Sequence, residues 1–267
     1  MTPDKRKTEA RTTAHSSWDK DLDLPDSIAG IPGPGRWLVA NYTPTALFSL
    51  KTSLATSTVG KTLLIPTPYA IKMALVDAAF RCGYSESDSD GLLRSLVPVT
   101  VRIGLGLGAV VTQTFLKVRQ QSRDADSLRP YSSTIAYREL AHQHGSWQWA
   151  FDLAAADVIL VRRLVQLLPH VCYVGKRGSF IQFIGLSRRR ELGNDFTQPV
   201  QTAASWSPPP RAHIVPLDDF GPEADLDTLN SFTTKRPKRG SHRRFIETII
   251  PIGVVNTGPG FTEYRRE

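Results

Sequence analysis

Two segments of the chain repeat apolar residues at the spacing of an α-helix. In the first, Thr67 is a suitable N-cap, Pro68 suits the first helical position, and Gly83 suits a C-terminal stop. In the second, Asp157 is a suitable N-cap and Pro169 a suitable end. The predicted apolar faces consist of Ile71, Leu75, Ala78 and Ala79 in the first segment, and Val158, Val161, Leu164, Val165 and Leu168 in the second. The pattern therefore predicts a helix in each segment.

Runs of β-branched and aromatic residues predict strands around these helices. The predicted strands are 36–42, 97–107, 109–118, 134–140, 147–153, 171–174, 180–186 and 245–255. The Ser/Thr-rich residues 43–66 and the acidic residues 84–91 are predicted loops. With the middle strands set aside as an insertion, the order is the βαββαβ order of a ferredoxin-like fold. The pattern thus predicts an α+β protein with a ferredoxin-like core and a β-hairpin insertion.

The composition changes on both sides of this core. Residues 1–35 are rich in Lys, Asp, Thr, Pro and Gly, which predicts a flexible N-terminal extension. Beyond the predicted core domain, 36–190, residues 191–267 have weaker patterns and are predicted to form a small C-terminal β-rich appendage. Within it, the basic run 235–244 follows the acidic stretch 217–227. The run is interpreted as a disordered basic tail, as an electrostatic contact to nucleic-acid backbone, or as both.

The overall charge narrows the class of partner. The chain of 267 residues is 40% hydrophobic and carries a formal net charge of +8, which favours a polyanionic partner, either nucleic acid or an anionic membrane. No apolar run approaches the roughly 18 residues of a membrane span, and Met1 to Lys20 has no apolar signal segment. Cys82 and Cys172 have no CxxC spacing, which argues against a zinc site or a disulfide scaffold. We therefore expect a cytoplasmic protein with no cofactor, metal or membrane contact.

Three segments resemble ligand-binding or catalytic motifs but lack the required context. Residues 58–62 end in Gly-Lys-Thr, yet Ala55 occupies the first glycine position of a phosphate loop and no helix follows. The glycines of 104–108 have the wrong spacing for a dinucleotide site. His142 and His144 have no metal-ligand partner in sequence, although either is a candidate for acid–base chemistry. We interpret the three segments as a loop, a turn and a surface loop.

The segment 175–180 carries groups that bind an RNA backbone. Its glycines permit close approach, and its amides, Lys176, Arg177 and the Ser179 hydroxyl are suited to phosphate oxygens. Phe180 either stacks on a base or anchors the following strand in the core. Composition alone leaves a solvated, charged loop as an equal alternative.

Four segments, in order along the chain, resemble the CRISPR-associated protein family five, the RAMP subunit of Cascade surveillance complexes. Residues 66–72, PTPYAIK, are similar to the start of the family's first helix, and 110–117, VVTQTFLK, to one of its strands. Residues 134–139, TIAYRE, resemble its Y-R-E strand, and 173–180, YVGKRGSF, resemble its glycine-rich loop. The resemblance covers roughly 36–186, and the flanking regions depart from the family pattern.

The resemblance implies a non-catalytic RNA-binding role. Family members cap one end of the complex and hold the 5′ handle of the CRISPR RNA, and a β-hairpin thumb, here within 104–134, packs against the backbone subunit. The RNA contacts that the resemblance and the loop chemistry predict are Gly175, Lys176, Arg177, Gly178, Ser179, Phe180, Lys72, Lys117 and Arg138. The implied partners are the crRNA, the backbone and large subunits, and target DNA near the protospacer-adjacent motif.

Two other functions remain open at the level of sequence. Some family members cut precursor CRISPR RNA with a Tyr, Lys and His set, and Tyr137, Lys117 and either His142 or His144 provide those residue types. These residues do not align with the family's set, so catalysis is the alternative and not the expectation. The second alternative is a generic ferredoxin-like RNA-binding module outside CRISPR systems.

Overall fold

The computed structural model describes residues 31, 35–52, 59–121, 131–201, 211–230 and 233–266. These residues form a strand-rich, mixed α and β structure. Its helices are α1 Pro68–Arg81, α2 Glu86–Leu96, α3 Val158–Leu167 and α4 Leu226–Leu229. Its strands are β1 Trp37–Pro44, β2 Leu50–Lys51, β3 Val59–Gly60, β4 Thr62–Leu63, β5 Val101–Gly104, β6 Gly108–Gln121, β7 Tyr131–His144, β8 Trp147–Asp152, β9 Ile181–Arg189, β10 Gln198–Pro199, β11 His213–Phe220, β12 Arg243–Ile250, β13 Gly253–Gly258 and β14 Phe261–Arg265. The predicted extension 1–35 lies outside the described residues except for 31 and 35.

A four-stranded sheet in the order β5-β8-β1-β9 forms the centre of the structure, and its neighbouring strands are antiparallel. On one face of this sheet, Tyr42 packs beside Trp149, with ring centroids 4.2 Å apart. The Tyr42 hydroxyl donates a hydrogen bond to the carbonyl of Leu168, just after α3, at 2.7 Å. This face is therefore the one that the helices cover, and its aromatic side chains form much of the core.

The two predicted helices are confirmed, and their ends show why the local sequence is sufficient. Thr67 accepts a hydrogen bond from the backbone N–H of Ala70 at 3.2 Å, and Asp157 accepts one from Leu160 at 2.7 Å. Gly83 has a φ of +87°, which favours glycine after a helix. One detail is wrong: Val158 is 67% exposed, because the buried face of α3 starts at Leu160.

The acidic stretch 84–91 is a helix start and not the predicted loop. Ser85 caps α2 by accepting a hydrogen bond from the N–H of Asp88 at 3.1 Å. Glu86 and Asp88 then lie in the first turn, where acidic side chains stabilise the positive end of the helix dipole. Leu92 on the same helix is fully buried. The acidity that suggested a loop is thus the N-terminal signal of an amphipathic helix.

Other boundaries also differ from the predicted ones. The expected strand 171–174 is a single bridge between Tyr173 and Phe180. The expected loop 43–66 contains the short strands β2, β3 and β4 in its described part. The insertion is a long hairpin in which β6 and β7 have 14 residues each, so pairing continues beyond the predicted strands 109–118 and 134–140. The hairpin belongs to a separate sheet from the central one.

The described residues after 190 make extensive contacts with the rest of the structure. β14 pairs with β6, so that β13 and β14 extend the hairpin sheet in the order β13-β14-β6-β7-β3. A second sheet, β10-β12-β11, packs against α1. The domain boundary at 190 stays a prediction, but these strands share sheets and core with the preceding residues.

The prediction that Lys72 contacts RNA is wrong, because its side chain lies in the core. Its side chain is completely buried, and its Nζ lies 2.7 Å from Oδ1 of Asp219 on β11. Arg244 reaches the other oxygen of the same carboxylate at 3.0 Å. Burial lowers the pKa of the Lys72 ammonium, and the carboxylate of Asp219 opposes that shift. β11 covers this part of α1, so RNA has no access to Lys72.

We expect Lys72→Met to lower the free energy of unfolding by about 3 kcal/mol, because removal of one partner leaves a buried carboxylate with a single cation. Guanidinium denaturation measures the change. Lys61→Met is the matched control, since Lys61 is exposed and its replacement should stay within about 0.5 kcal/mol of the parent. Equal stability of the two variants would contradict a structural role for the buried pair.

Candidate nucleic-acid interface

The glycine-rich segment 175–180 forms a tight hairpin turn. The N–H of Ser179 donates to the carbonyl of Lys176 at 3.0 Å, and the N–H of Val174 donates to the carbonyl of Ser179 at 3.2 Å. Gly175 and Gly178 have φ angles of +73° and +98°, which side-chain-bearing residues rarely adopt. The positive φ at Gly178 suits the third position of a type II turn. Both glycines are thus required by the turn itself.

The last two residues of this turn have opposite environments. Ser179 is only 4% exposed, which corrects the prediction that its hydroxyl meets a ligand. Phe180 is 52% exposed, while its carbonyl accepts a hydrogen bond from the N–H of Thr45 at 3.0 Å. The backbone of Phe180 therefore fixes the turn to the end of β1, and its ring is not a core anchor. The ring is free to stack on a planar ligand.

Lys176 lies in a group of basic side chains that the fold brings together, here called the basic cluster: Lys51, Arg138 and Lys176. Desolvation lowers the pKa of Lys51, and the charges of Arg138 and Lys176 lower it further. A Cβ atom at Gly60 would lie 2.9 Å from Cε of Lys51 and 3.0 Å from Nη1 of Arg138. The side chains of Lys51 and Arg138 therefore both pass over Gly60. Like charges held this close favour binding of an anion.

Lys51 was not among the predicted RNA contacts. It is one of two basic residues in the predicted loop 43–66, and the other is Lys61. No local pattern marks Lys51. It joins the cluster because β2 packs under the turn, where a Cβ on Gly175 would come within 2.8 Å of Cδ2 of Leu50. Arg138 joins from β7, opposite Gly60 on β3. The site is therefore assembled from three separate parts of the chain.

Arg177, unlike its neighbour Lys176, lies near Tyr173 and not in the basic cluster. The hydroxyl of Tyr173 is within hydrogen-bonding reach of both Asp77 on α1 and Arg177. Burial raises the pKa of Tyr173, Asp77 raises it further, and Arg177 opposes the shift. Asp77 also accepts a hydrogen bond from Arg81 at 2.8 Å. Arg177 is exposed, so its contact with RNA stays a prediction.

Lys117 lies on the hairpin, outside the basic cluster. It is exposed on β6 opposite Ile135, and its contact with RNA stays a prediction. Strand alternation places it on the same face as Phe115 and Tyr137, whose ring centroids are 5.1 Å apart. This face presents exposed apolar and aromatic side chains together with one cation.

The residue types named for the ribonuclease alternative do not meet on the hairpin. β6 and β7 pair in unbroken register from Gly108–His144 to Gln121–Tyr131. Alternation along β7 then directs Tyr137 to one face and both His142 and His144 to the other. The predicted Tyr, Lys and His set is thus divided between two sides of the sheet.

The basic run 235–244 is ordered, which corrects its interpretation as a disordered tail. Aspartates of the acidic stretch 217–227 form ion pairs with three of its basic side chains. The ion pairs are Lys235 with Asp227, Arg243 with Asp218, and Arg244 with Asp219. Arg239 lies over the ring of Phe245 at 4.9 Å. Arg243 and Arg244 at the end of this run therefore stabilise the pairing of β11 with β12.

Three properties of the described residues bear on other classes of site. They contain no group of three or more His, Cys, Asp or Glu side chains arranged to hold a metal ion. Cys82 and Cys172 are free thiols in the described residues. Among the helices of the described ranges, none is long and apolar enough to cross a membrane.

No protein-family model matches the chain, and no curated protein matches it in sequence. The structure is similar to the crystal structure of a CRISPR protein from Archaeoglobus fulgidus, with a TM-score of 0.42 and 10% sequence identity. The similarity covers 86% of this chain and 92% of that chain. A TM-score of this size does not establish a shared fold.

We expect Lys176→Met to raise the pKa of Lys51, because the substitution removes one of the positive charges that oppose protonation of Lys51. NMR titration of the lysine side chains in isotopically labelled protein measures the value directly. Lys117→Met is the control, because Lys117 is an exposed lysine outside the cluster. An unchanged pKa of Lys51 in the Lys176 variant would show that the two ammonium groups do not interact.

Proposed function

We propose that this chain binds single-stranded RNA as a non-catalytic subunit of a type I CRISPR Cascade complex, where it holds the 5′ handle of the guide RNA and caps the backbone filament. The observation that carries the proposal is the convergence of the basic cluster, Lys51, Arg138 and Lys176, beside the exposed ring of Phe180. Cations grip the phosphates of a single strand, and an aromatic ring stacks on a base that is not paired.

The arrangement of the central sheet supports a ferredoxin-like core of the RAMP type. In chain order its elements are β1, α1, β5, β8, α3 and β9, if the hairpin and α2 are set aside as insertions. The sheet order β5-β8-β1-β9, with antiparallel neighbours, is the order expected of two interlocked βαβ units. The segments that resemble the family open α1, lie in β6 and β7, and form the turn.

The hairpin supports a neighbouring protein subunit as the second partner. Phe115, Tyr131 and Ile135 are 72%, 63% and 69% exposed, and exposed apolar side chains clustered on one element commonly mark an interface. The backbone subunit is the partner that the resemblance implies for this thumb. The large subunit and target DNA near the protospacer-adjacent motif are the other proposed partners.

Alanine substitutions in the basic cluster should weaken binding of repeat-derived RNA and reduce its dependence on salt. Each lost phosphate contact should lower the slope of log affinity against log salt by about 0.7.

Phe180→Ala should cost about 1–3 kcal/mol of binding free energy and leave the salt slope unchanged, because stacking carries no charge. Fluorescence anisotropy across a salt series measures both quantities.

Arg94→Ala is the control for the charged variants, because Arg94 is exposed on α2 and paired with Asp90. An unchanged affinity and slope in Lys51→Ala, Arg138→Ala and Lys176→Ala would remove the cluster from the interface. Site-specific cleavage of repeat RNA in EDTA would favour the endoribonuclease alternative. Copurification with RNA of mixed sequence and no uniform 5′ end would favour the generic RNA-binding module.

A further inference from the structure

The two faces of the central sheet are covered differently. The helix-covered face carries large buried rings, including Tyr42 and Trp149. On the opposite face, the first half of β1 is covered, since Trp37 and Val39 pack with Phe196. In the second half of β1, Asn41 and Thr43 on this face are partly exposed. The open part of the sheet therefore begins at Asn41.

Uncharged hydrogen-bonding side chains predominate on this open part, beside the exposed Ile184 at the bulge of β9. Gln148 on β8 donates from Nε2 to Oδ1 of Asn41 at 3.0 Å. Nδ2 of Asn41 donates in turn to the carbonyl of Gly185 on β9 at 3.4 Å. Asn41 is thus held by both neighbouring strands, and its amide has a fixed orientation.

A second row of polar side chains follows in the direction of Thr45. Oγ1 of Thr43 and Oγ of Ser146 are 3.2 Å apart, and Gln182 lies opposite Thr43 on β9 and is exposed. Together we name these residues the amide face: Asn41, Thr43, Ser146, Gln148 and Gln182. Amides and hydroxyls offer both donors and acceptors, which is the chemistry that matches the edges of nucleobases.

The position of Phe180 connects the amide face to the proposed RNA path. Phe180 lies two residues before Gln182, and alternation along the strand directs both side chains to the same side. The carbonyl of Phe180 accepts a hydrogen bond from the N–H of Thr45, the residue just after β1. The turn that carries Lys176 ends at Phe180. The order across the surface is therefore cations, an exposed ring, and then neutral amides.

This order favours a single strand of RNA over a protein partner. The cations complement a phosphate backbone, whereas the neutral face offers no charge to an acidic peptide. The amide face has the exposed Ile184 beside it, but its own five side chains are polar, whereas the centre of a protein interface is typically apolar. A nucleotide chain, by contrast, presents phosphates, stacking faces and hydrogen-bonding edges within one repeat.

We propose that the amide face reads the base edges of RNA nucleotides next to the base that stacks on Phe180. The proposal rests on the proposed RNA-binding function and adds a source of sequence selectivity to it. Asn41 and Gln148 are oriented in advance by their mutual hydrogen bond, and Gln182 supplies an exposed amide at the border with Phe180.

The test measures affinities of the full-length protein for short oligo(A), oligo(C) and oligo(U) RNA by fluorescence anisotropy. We expect the parent protein to rank the three, and Asn41→Ala and Gln182→Ala each to compress the ratio of Kd values by about fivefold, the value of one hydrogen bond. The salt slope should not change, because no charge is removed. Asn256→Ala, an exposed strand amide elsewhere, should leave the ranking intact.

The outcomes separate this inference from the function on which it rests. Equal affinity of the parent for all three RNAs, or an unchanged ranking in both variants, would overturn base reading and leave RNA binding in place. No measurable binding of any RNA by the parent would overturn the proposed function itself. Because Gln182 is exposed, its variant keeps the test valid if Asn41→Ala is too unstable, which denaturation checks.

Discussion

The buried ion pair between Lys72 and Asp219 is the contact on which the arrangement of the C-terminal strands depends. It joins α1 to β11 across a site where both side chains are almost completely buried. Two charges removed from water are stable only when each has close partners, and Arg244 provides the second cation for the carboxylate. The register of β11 and β12 is thereby tied to one helix. Since β12 leads directly into β13 and β14, the same contact helps to position the strands that extend the hairpin sheet.

The candidate interface shows how the fold concentrates positive charge without a basic run in the sequence. Lys51, Arg138 and Lys176 come from β2, β7 and a glycine turn, and the charges of Arg138 and Lys176 lower the pKa of Lys51. The run 235–244 has far more charge per residue, yet Arg243 and Arg244 are paired with Asp218 and Asp219 of β11. Charge density along the chain is therefore a poor guide to the surface potential of this protein.

Local hydrogen bonds explain which predictions were correct. The caps at Thr67 and Asp157 and the turn glycines Gly175 and Gly178 depend on atoms only a few residues apart, so a short stretch of sequence specifies them. The start of α2 obeys the same rule, with Ser85 as its cap, and it was missed because acidity and serine content are shared by loops and helix N-termini. Predictions about burial or partners at long range had no such basis.

The sequence by itself determined the main helices, the order of the core elements and the glycine turn, because caps, periodicity and positive φ angles are local properties. Only the tertiary structure decided which individual side chains are buried, which are exposed and which lie next to one another. It buried Lys72, added Lys51 to the cluster, exposed Phe180 and separated Tyr137 from the hairpin histidines. The physical reason is that burial and strand register depend on segments far apart in the chain, and a one-residue change in register would reverse every side chain on a strand.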